Sequence, residues 1–432
     1  MTVQESPGSS LESDTDRPSA IRAWTTVLLI MTLLVISFLD KSVPGLAAGQ
    51  LRHDLGISAS QFGLIGSADY VLAAVTCLLV GVLADRHSAR RTLPISALLW
   101  SVAQLPALVV PGAGSLLAGR LLLGAGSGPV VPLAHATVYS WFTNRRRGLP
   151  AGVLTCGASI AKRALAPALG LVIAAWGWRV AFALTALLGL VWAAIWAWVG
   201  REGPYALPRD RAAAIRLRTH IAMAARTVRL RTVAGAAVAL AAQAVLASFV
   251  LTWLPSYFAQ ALGFTQVQAS SLFGVPCAFG IVALLGTGAL SDRLLRGGTR
   301  GRLARGLLGG IVMGVSGAVL LALPFVADRM LAIAMVVVGY GLSVTVNVFA
   351  NPVVAEVAGP ARRASALAAI TAITSIGSLC GPVLTGVVLD AAPNPVAGFA
   401  IAFRVFGLLL ILGGLVFALL VNPERDRDAT SA

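Results

Sequence analysis

Six ionisable side chains stand inside long apolar runs: Asp40, Lys41, Asp69, Arg120, Lys162 and Arg163. An ionisable group at the centre of a bilayer costs at least about 2.5–3.5 kcal/mol, so each needs a partner, a wet cavity or a task. The chain has only two lysines, Lys41 and Lys162, and both belong to this set; its basic loops are built from arginine. Four bases against two acids leave positive charge over, which is chemistry for holding an anion. The competing reading, structural pairing of each acid with one base, leaves that surplus unpaired. Thr155, Ser159, Lys162 and Arg163 share one helix face, and Pro167 frees the carbonyl of Arg163. Arginine would grip a carboxylate through two parallel hydrogen bonds and lysine as a point charge; the sequence does not choose between Lys162 and Arg163. A second stripe runs through Arg120, Gly124, Ser127, Val131 and His135. His135 is expected to be the one imidazole buried in a span, either a proton carrier beside Asp40 and Asp69 or a satisfied structural histidine. By helical rise, Asp40, Asp69 and Lys162 lie at matching depth, roughly 22–24 Å from the basic loops, with Arg120 farther out.

Positioning such groups takes a membrane protein. Of 432 residues, 57% are hydrophobic and 12% charged, and mean hydropathy is +0.85. Soluble chains carry about 25% charged residues, so a soluble protein is excluded. Apolar runs fall at 23–49, 59–84, 92–111, 114–142, 148–175 and 179–200, then at 232–261, 265–290, 303–326, 330–357, 364–389 and 397–421. Each suits a bilayer span of about 20 residues. The pattern predicts an all-α membrane protein of twelve transmembrane helices in two pseudo-symmetric six-helix bundles, 23–200 and 232–421. Residues 1–22 read as a disordered tail without signal-peptide features, and 422–432 as a second tail. Residues 201–231 form a basic linker, either a solvated tether or an amphipathic helix on the headgroups. Loops on the N-terminal side carry Arg86, Arg90 and Arg91, Arg145 to Arg147, the linker arginines, Arg293 to Arg305, and Arg362 with Arg363. The opposite loops carry only Arg52, Arg179 and Arg329. The positive-inside rule then puts both termini in the cytoplasm. This clustering accounts for the net charge of +16 without nucleic acid. Cys77, Cys156, Cys277 and Cys380 lie in apolar runs and read as small fillers, not as a disulfide framework or a metal site.

An internal repeat supports the division. Gly81-Val-Leu-Ala-Asp85-Arg86, followed by Arg90 and Arg91, closes the second span; Gly288-Ala-Leu-Ser-Asp292-Arg293 closes the eighth. This repeated pattern resembles the signature of the major facilitator superfamily. Phe38-Leu-Asp40-Lys41, Arg120-Leu-Leu-Leu-Gly124-Ala-Gly126, Trp141-Phe142 and Thr252-Trp-Leu-Pro255 resemble, within it, the anion:cation symporter family. The resemblance runs from about residue 23 to 425 and implies two bundles rocking about a central site that carries small organic anions, usually with protons. Two departures stand out. Ser88 replaces the usual glycine after the first Asp-Arg pair, and Ser127 replaces the glutamate that family members commonly carry in span 4, which puts one proton-coupling carboxylate in doubt.

The expected substrate site is therefore Lys41, Arg120, Lys162 and Arg163 from the first half, with neutral Gln243, Tyr340 and Asn347 from the second; Tyr257, Asn351, Thr371 and Thr374 are further candidates. Interhelical hydrogen bonding is the competing role for each neutral group. Asp40, Asp69 and His135 are the expected proton carriers. Gly81, Asp85, Arg86, Arg90, Arg91, Gly288, Asp292, Arg293, Glu356 and Arg363 are the expected cytoplasmic gate, with Pro360 beside them. No P-loop, metal constellation or nucleophile–base pair stands outside the apolar runs, so neither an enzyme nor a cofactor is expected. The expected activity is secondary transport of a small organic anion (a sugar acid, hydroxy acid or aromatic carboxylate) with protons, by a monomer in the cytoplasmic membrane. The alternatives are a uniporter or anion exchanger, because of Ser127, and a transport-dead sensor on the same scaffold.

Overall fold

The computed structural model describes residues 20–86, 88–110, 112–143, 149–150, 152–154, 157, 164–205 and 230–426, with the side chains of 78–86, 359–365 and 368 outside that description. All regular structure among these residues is helical. In the first half, α1 is Ala20–Leu46, α2 Ala48–Leu55, α3 Ala59–Arg86, α4 Ala89–Ala103, α5 Leu105–Val109, α6 Ala113–Ser127, α7 Val130–Tyr139 and α8 Ala166–Val199. In the second, α9 is Arg231–Ser256, α10 Gln266–Arg296, α11 Leu308–Ala322, α12 Arg329–Val344, α13 Val346–Val357, α14 Gly359–Ala391 and α15 Pro395–Leu420. Two π-turns, Tyr257–Ala261 and Arg302–Leu307, extend α9 and precede α11.

Ten stretches of the described residues are long and apolar enough to cross a membrane. α3 is not among the ten, although its 28 residues give about 42 Å of helix against the roughly 30 Å of a hydrocarbon core. Ten residues of the expected fifth span, 158–163 among them, lie outside the described residues; its end, from Ala166, opens α8. The chain turns at Gly177 (φ +82) within α8, a left-handed conformation that glycine adopts without strain. That turn falls between the apolar runs expected for spans 5 and 6. Large apolar side chains stay on the outside, including Trp198 at 90% exposure and Ile21 at 80%, as a lipid-facing surface requires.

Three helices of the second half are capped by side chains at their N-termini. Thr265 and Gln268 form a capping box at α10, Asp328 caps α12 and Asn394 caps α15. The two halves also repeat one device. The Glu202 carboxylate, just past α8, accepts the Ala89 N–H at the start of α4; the Glu424 carboxylate, just past α15, accepts the Gly301 N–H ahead of α11. Orphan N–H groups and the positive end of a helix favour a carboxylate at both places.

The halves meet through α3 on α14, α1 on α9 and α8 on α10. One apolar cluster stays within the first half, from Val27 to Trp196; the other joins the C-terminal part of α1, α2 and the start of α3 to the second half. The end of the molecule holding that junction, called distal below, is sealed. Asp390 at the end of α14 accepts hydrogen bonds from the Ala59 N–H (2.9 Å), the Ser60 N–H (2.8 Å) and the Ser60 hydroxyl (2.6 Å). Ser67 Oγ donates to the Leu379 carbonyl at 2.8 Å, Gln266 donates to the Leu46 carbonyl, and Phe62 meets the Trp253 ring edge-on at 5.0 Å. A Cβ at Gly63 would strike the Pro382 carbonyl, and one at Gly386 the Ala59 carbonyl, so α3 and α14 touch backbone to backbone.

Candidate functional site

α1, α3 and α6 bring Asp40, Asp69 and Arg120 to one buried cluster, exposed by 2%, 4% and 4%, with Lys41 half-buried beside them. Of the neighbouring charges, Arg120 acts most strongly on Asp40 and Lys41 most strongly on Asp69, followed by Arg120. Gly124 of α6 stands level with Asp69, so the backbone of Arg120 lies one turn, about 6 Å, nearer the start of α6, and its long side chain still acts on both acids. A Cβ at Gly124 would overlap the Asp69 carbonyl, and this close approach of α6 to α3 sets the acid against the base.

The four charges balance without pairing tightly. Ion pairs among the described residues, His53–Asp54, Arg179–Asp54, Arg305–Glu356 and Arg425–Asp426, all lie elsewhere. Arg120 Nε and Nη2 have no hydrogen-bond partner; the guanidinium carbon stands 5.8 Å from the centroid of the Phe182 ring. Beside it is a cavity of about 10 Å³ lined by Gln104, Gly119 and Phe182 among others, room for about one water. Buried guanidinium donors without acceptors are costly, and an entering anion would supply the missing acceptors.

Asp40 is held by residues that its own surroundings in sequence do not announce. Thr185 Oγ, fully buried, lies 3.1 Å from Asp40 Oδ1 and 3.0 Å from Gln104 Oε1. One hydroxyl proton faces two side-chain acceptors, so the contact to Asp40 is complete in either ionisation state: the hydroxyl donates to the carboxylate, or a protonated carboxyl donates to the hydroxyl. Tyr70 follows Asp69 on α3 and is half-buried, with Asp69 and Arg120 the charges that act on it. Sequence reasoning misses Gln104, Thr185 and Tyr70 because neutral polar groups in a span are ordinary; the Asp69-Tyr70 adjacency is the one available signal.

The remaining expected residues divide. Gln243 and Tyr340 are buried at 9% and 6%, and Tyr340 rests against Cys277. Asn347 spends an amide hydrogen on the Val344 carbonyl at 3.0 Å. Tyr257 packs against Phe258, Phe399 and Phe403, so it is a core aromatic. Thr371 and Thr374 donate to carbonyls of their own helix, and Asn351 is exposed. His135 is half-buried rather than buried, its Nδ1 3.0 Å from the Val131 carbonyl and its ring edge-on to Tyr139. The span-4 stripe fails there. Gly128 and Pro129 keep right-handed helical backbone between α6 and α7, but Pro129 has no N–H to give the preceding turn, and the burial of the stripe changes across this irregularity. Arg120 and Ser127 are buried, while Val131 is 45% exposed. Lys162 and Arg163 lie outside the described residues.

At the expected gate, Arg90, Arg91, Asp292 and Arg293 are exposed, and a Cβ at Gly288 would meet a Val348 methyl at 3.3 Å. Glu356 pairs with Arg305 at 2.9 Å, tying α13 to the π-turn before α11; the sequence groups Glu356 with Arg363 and hides Arg305 among many arginines. The side chains of Gly81, Asp85, Arg86 and Arg363 lie outside the described residues.

Known proteins resemble this chain along its length. It is 28% identical over 408 residues to a hexuronate transporter of Bacillus subtilis (strain 168), covering 93% of this chain and 96% of the relative. It is 26% identical over 420 residues to a probable sulfoacetate transporter of Cupriavidus necator, covering 93% and 95%. Its helices superpose with a TM-score of 0.78, at 16% identity and over 95% of this chain and 99% of the other, on a bacterial homologue of the human lysosomal transporter Spinster in an inward-facing, unoccupied conformation. The Major Facilitator Superfamily model matches residues 30–351; with the repeated Gly-x-x-x-Asp-Arg pattern and the helical fold, this match makes the chain a member of that superfamily of transporters.

Proposed function

We propose that the chain is a secondary transporter that carries a small organic anion together with a proton across the cytoplasmic membrane. The observation that carries the reading is Arg120, a buried cation with two donors unpartnered, standing within reach of two buried carboxylates. Its guanidinium receives the substrate's acid group, and Gln243 and Tyr340 meet its polar end. The carboxylates of the related transporters' named substrates, hexuronate and sulfoacetate, suit that division. In this reading twelve spans form two six-helix bundles with both termini in the cytoplasm, and the sealed distal end is the outer face of an inward-facing state. Asp40 carries the proton. With Ser127 in place of a second carboxylate, the span-1 and span-4 pair moves at most one proton, and a monovalent anion then crosses without net charge.

The test is a binding panel on purified protein. Carboxylates should raise the unfolding temperature while their amides and methyl esters do not. Equal stabilisation by acid and ester would remove the guanidinium from the recognition step and with it the anion reading.

A further inference from the structure

At the end of the molecule opposite the distal seal, a pocket of about 280 Å³ opens between the first turns of α1, the end of the fourth span and the end of α8. It is lined by Arg22, Thr25, Thr26, Trp141, Trp198 and Arg201, with Val199 at its edge. We propose that it binds the phosphate headgroup of an anionic phospholipid.

Several observations converge on that ligand. Arg22 and Arg201 are exposed and pair with no carboxylate among the described residues, so two guanidinium forks are free for phosphate oxygens. The threonines do not compete: Thr25 Oγ donates to the Ile21 carbonyl and Thr26 Oγ to the Arg22 carbonyl. The pocket is held in shape by the chain beyond α8, where Trp141 Nε1 donates to the Arg201 carbonyl at 3.4 Å, the Gly203 N–H to Ser140 Oγ at 2.9 Å and the Tyr205 N–H to the Ser140 carbonyl at 2.9 Å. Glu202, the adjacent acid, is committed to the Ala89 N–H. The rim carries an aromatic at headgroup level, Trp198. Away from the pocket, Ile21 and Leu28 on α1 and Val191 and Ile195 on α8 remain exposed on two helices that pack together, an apolar track for an acyl chain. A free soluble anion would use the arginines and ignore the track. Basic pockets between spans at the headgroup level are a recurring form of anionic-lipid site.

The site is independent of the transported solute, so its test needs no substrate. Full-length protein in neutral detergent is titrated with phosphatidylglycerol, phosphatidylcholine, glycerol 3-phosphate or inorganic phosphate, and retained lipid is counted by native mass spectrometry. Phosphatidylglycerol should be retained over phosphatidylcholine, and neither glycerol 3-phosphate nor phosphate should displace it. Arg22→Gln with Arg201→Gln should cut retention at least about fivefold, given roughly fivefold per basic residue at a membrane surface. Arg296→Gln with Arg300→Gln, which removes the same charge elsewhere, should leave it within about twofold. Deleting residues 2–18, which carry Glu5, Glu12, Asp14 and Asp16, should not change it. Equal loss in both arginine pairs, equal retention of the two lipids, displacement by free phosphate, or lipid binding that appears only after the tail is deleted would each overturn the proposal.

Discussion

The first half buries charge that its surroundings leave incompletely satisfied, whereas the second half buries polar groups that mostly satisfy themselves. Asp40, Asp69 and Arg120 are each at most 4% exposed, and Arg120 keeps two donors without partners. Across the molecule, Ser316 and Ser343 are fully buried with their hydroxyls given to carbonyls of Gly339 and Tyr340, and Asn347 bonds the Val344 carbonyl at the end of α12. The second half's ion pair at the expected gate, Arg305–Glu356, is partly solvated. Unmet electrostatic demand therefore sits on one side of the interface between halves. In the proposed function, a ligand that meets it would gain most of its binding energy from α1, α3 and α6, with the second half shaping and closing around it.

The largest expected effect comes from removing that demand. Arg120→Gln should lower uptake at least about 100-fold, since losing a charge-assisted partner for a buried acid costs about 3–5 kcal/mol. Its thermal unfolding should fall little, because Nε and Nη2 of the wild-type guanidinium already lack hydrogen-bond partners. Collapse of the fold with activity lost in proportion would instead make Arg120 a structural counter-ion, and the contrast between halves would disappear. Loosening what joins the halves comes next. Asp390→Ala strands three donors that the carboxylate now accepts, each worth about 1.5–3 kcal/mol to a charged group. It should expose the distal end, read as faster labelling of a Ser67→Cys variant by a maleimide, by about tenfold or more; unchanged labelling would mean that the apolar contacts alone hold the seal. Gln243→Ala and Tyr340→Phe should be milder, raising KM about three- to tenfold with kcat little changed, as for neutral hydrogen bonds of about 1 kcal/mol. Loss of kcat instead would move the second half from shaping the site to working it.

The smallest effect tests the distal surface of the first half. Asp54 is held below its ordinary carboxylate value chiefly by the Trp178 N–H at 3.0 Å, helped by His53 and Arg179. A group with a depressed folded-state pKa contributes stability above its unfolded value and loses it as pH falls through the folded one. Stability from this contact should thus be constant from pH 8 to 5 and decline only below about 4. A Trp178→Phe variant whose difference from wild type varied between pH 8 and 5 would contradict the assignment.

How much is legible in the sequence follows from what each feature costs. Charges in apolar runs are expensive and therefore rare, so Asp40, Asp69 and Arg120 stand out in the sequence by themselves. The repeat at Asp85 and Asp292 is legible for a different reason, as one short motif that recurs at the ends of two apolar runs. Thr185 and Gln104 carry no such penalty, and nothing local says that one hydroxyl will reach both Asp40 and Gln104. Asp390 reads as a residue at the end of a span; its partners, Ala59 and Ser60, lie more than three hundred residues away, and only the packing of α3 on α14 joins them. The stripe through His135 misleads because periodicity says which residues share a face but not how deeply each is covered: Arg120 and Ser127 are buried, His135 only half so.

The central claim, that one proton on Asp40 accompanies the anion, is tested most directly by reconstituted uptake with pH gradient and membrane potential imposed separately. Each net charge moved across 100 mV is worth about 2.3 kcal/mol, a difference easily resolved in accumulation. A monovalent substrate should accumulate with the pH gradient and respond weakly to potential, and Asp40→Asn should abolish gradient-driven uptake while sparing exchange. Strong potential-driven accumulation, or full pH-driven uptake by Asp40→Asn, would contradict it.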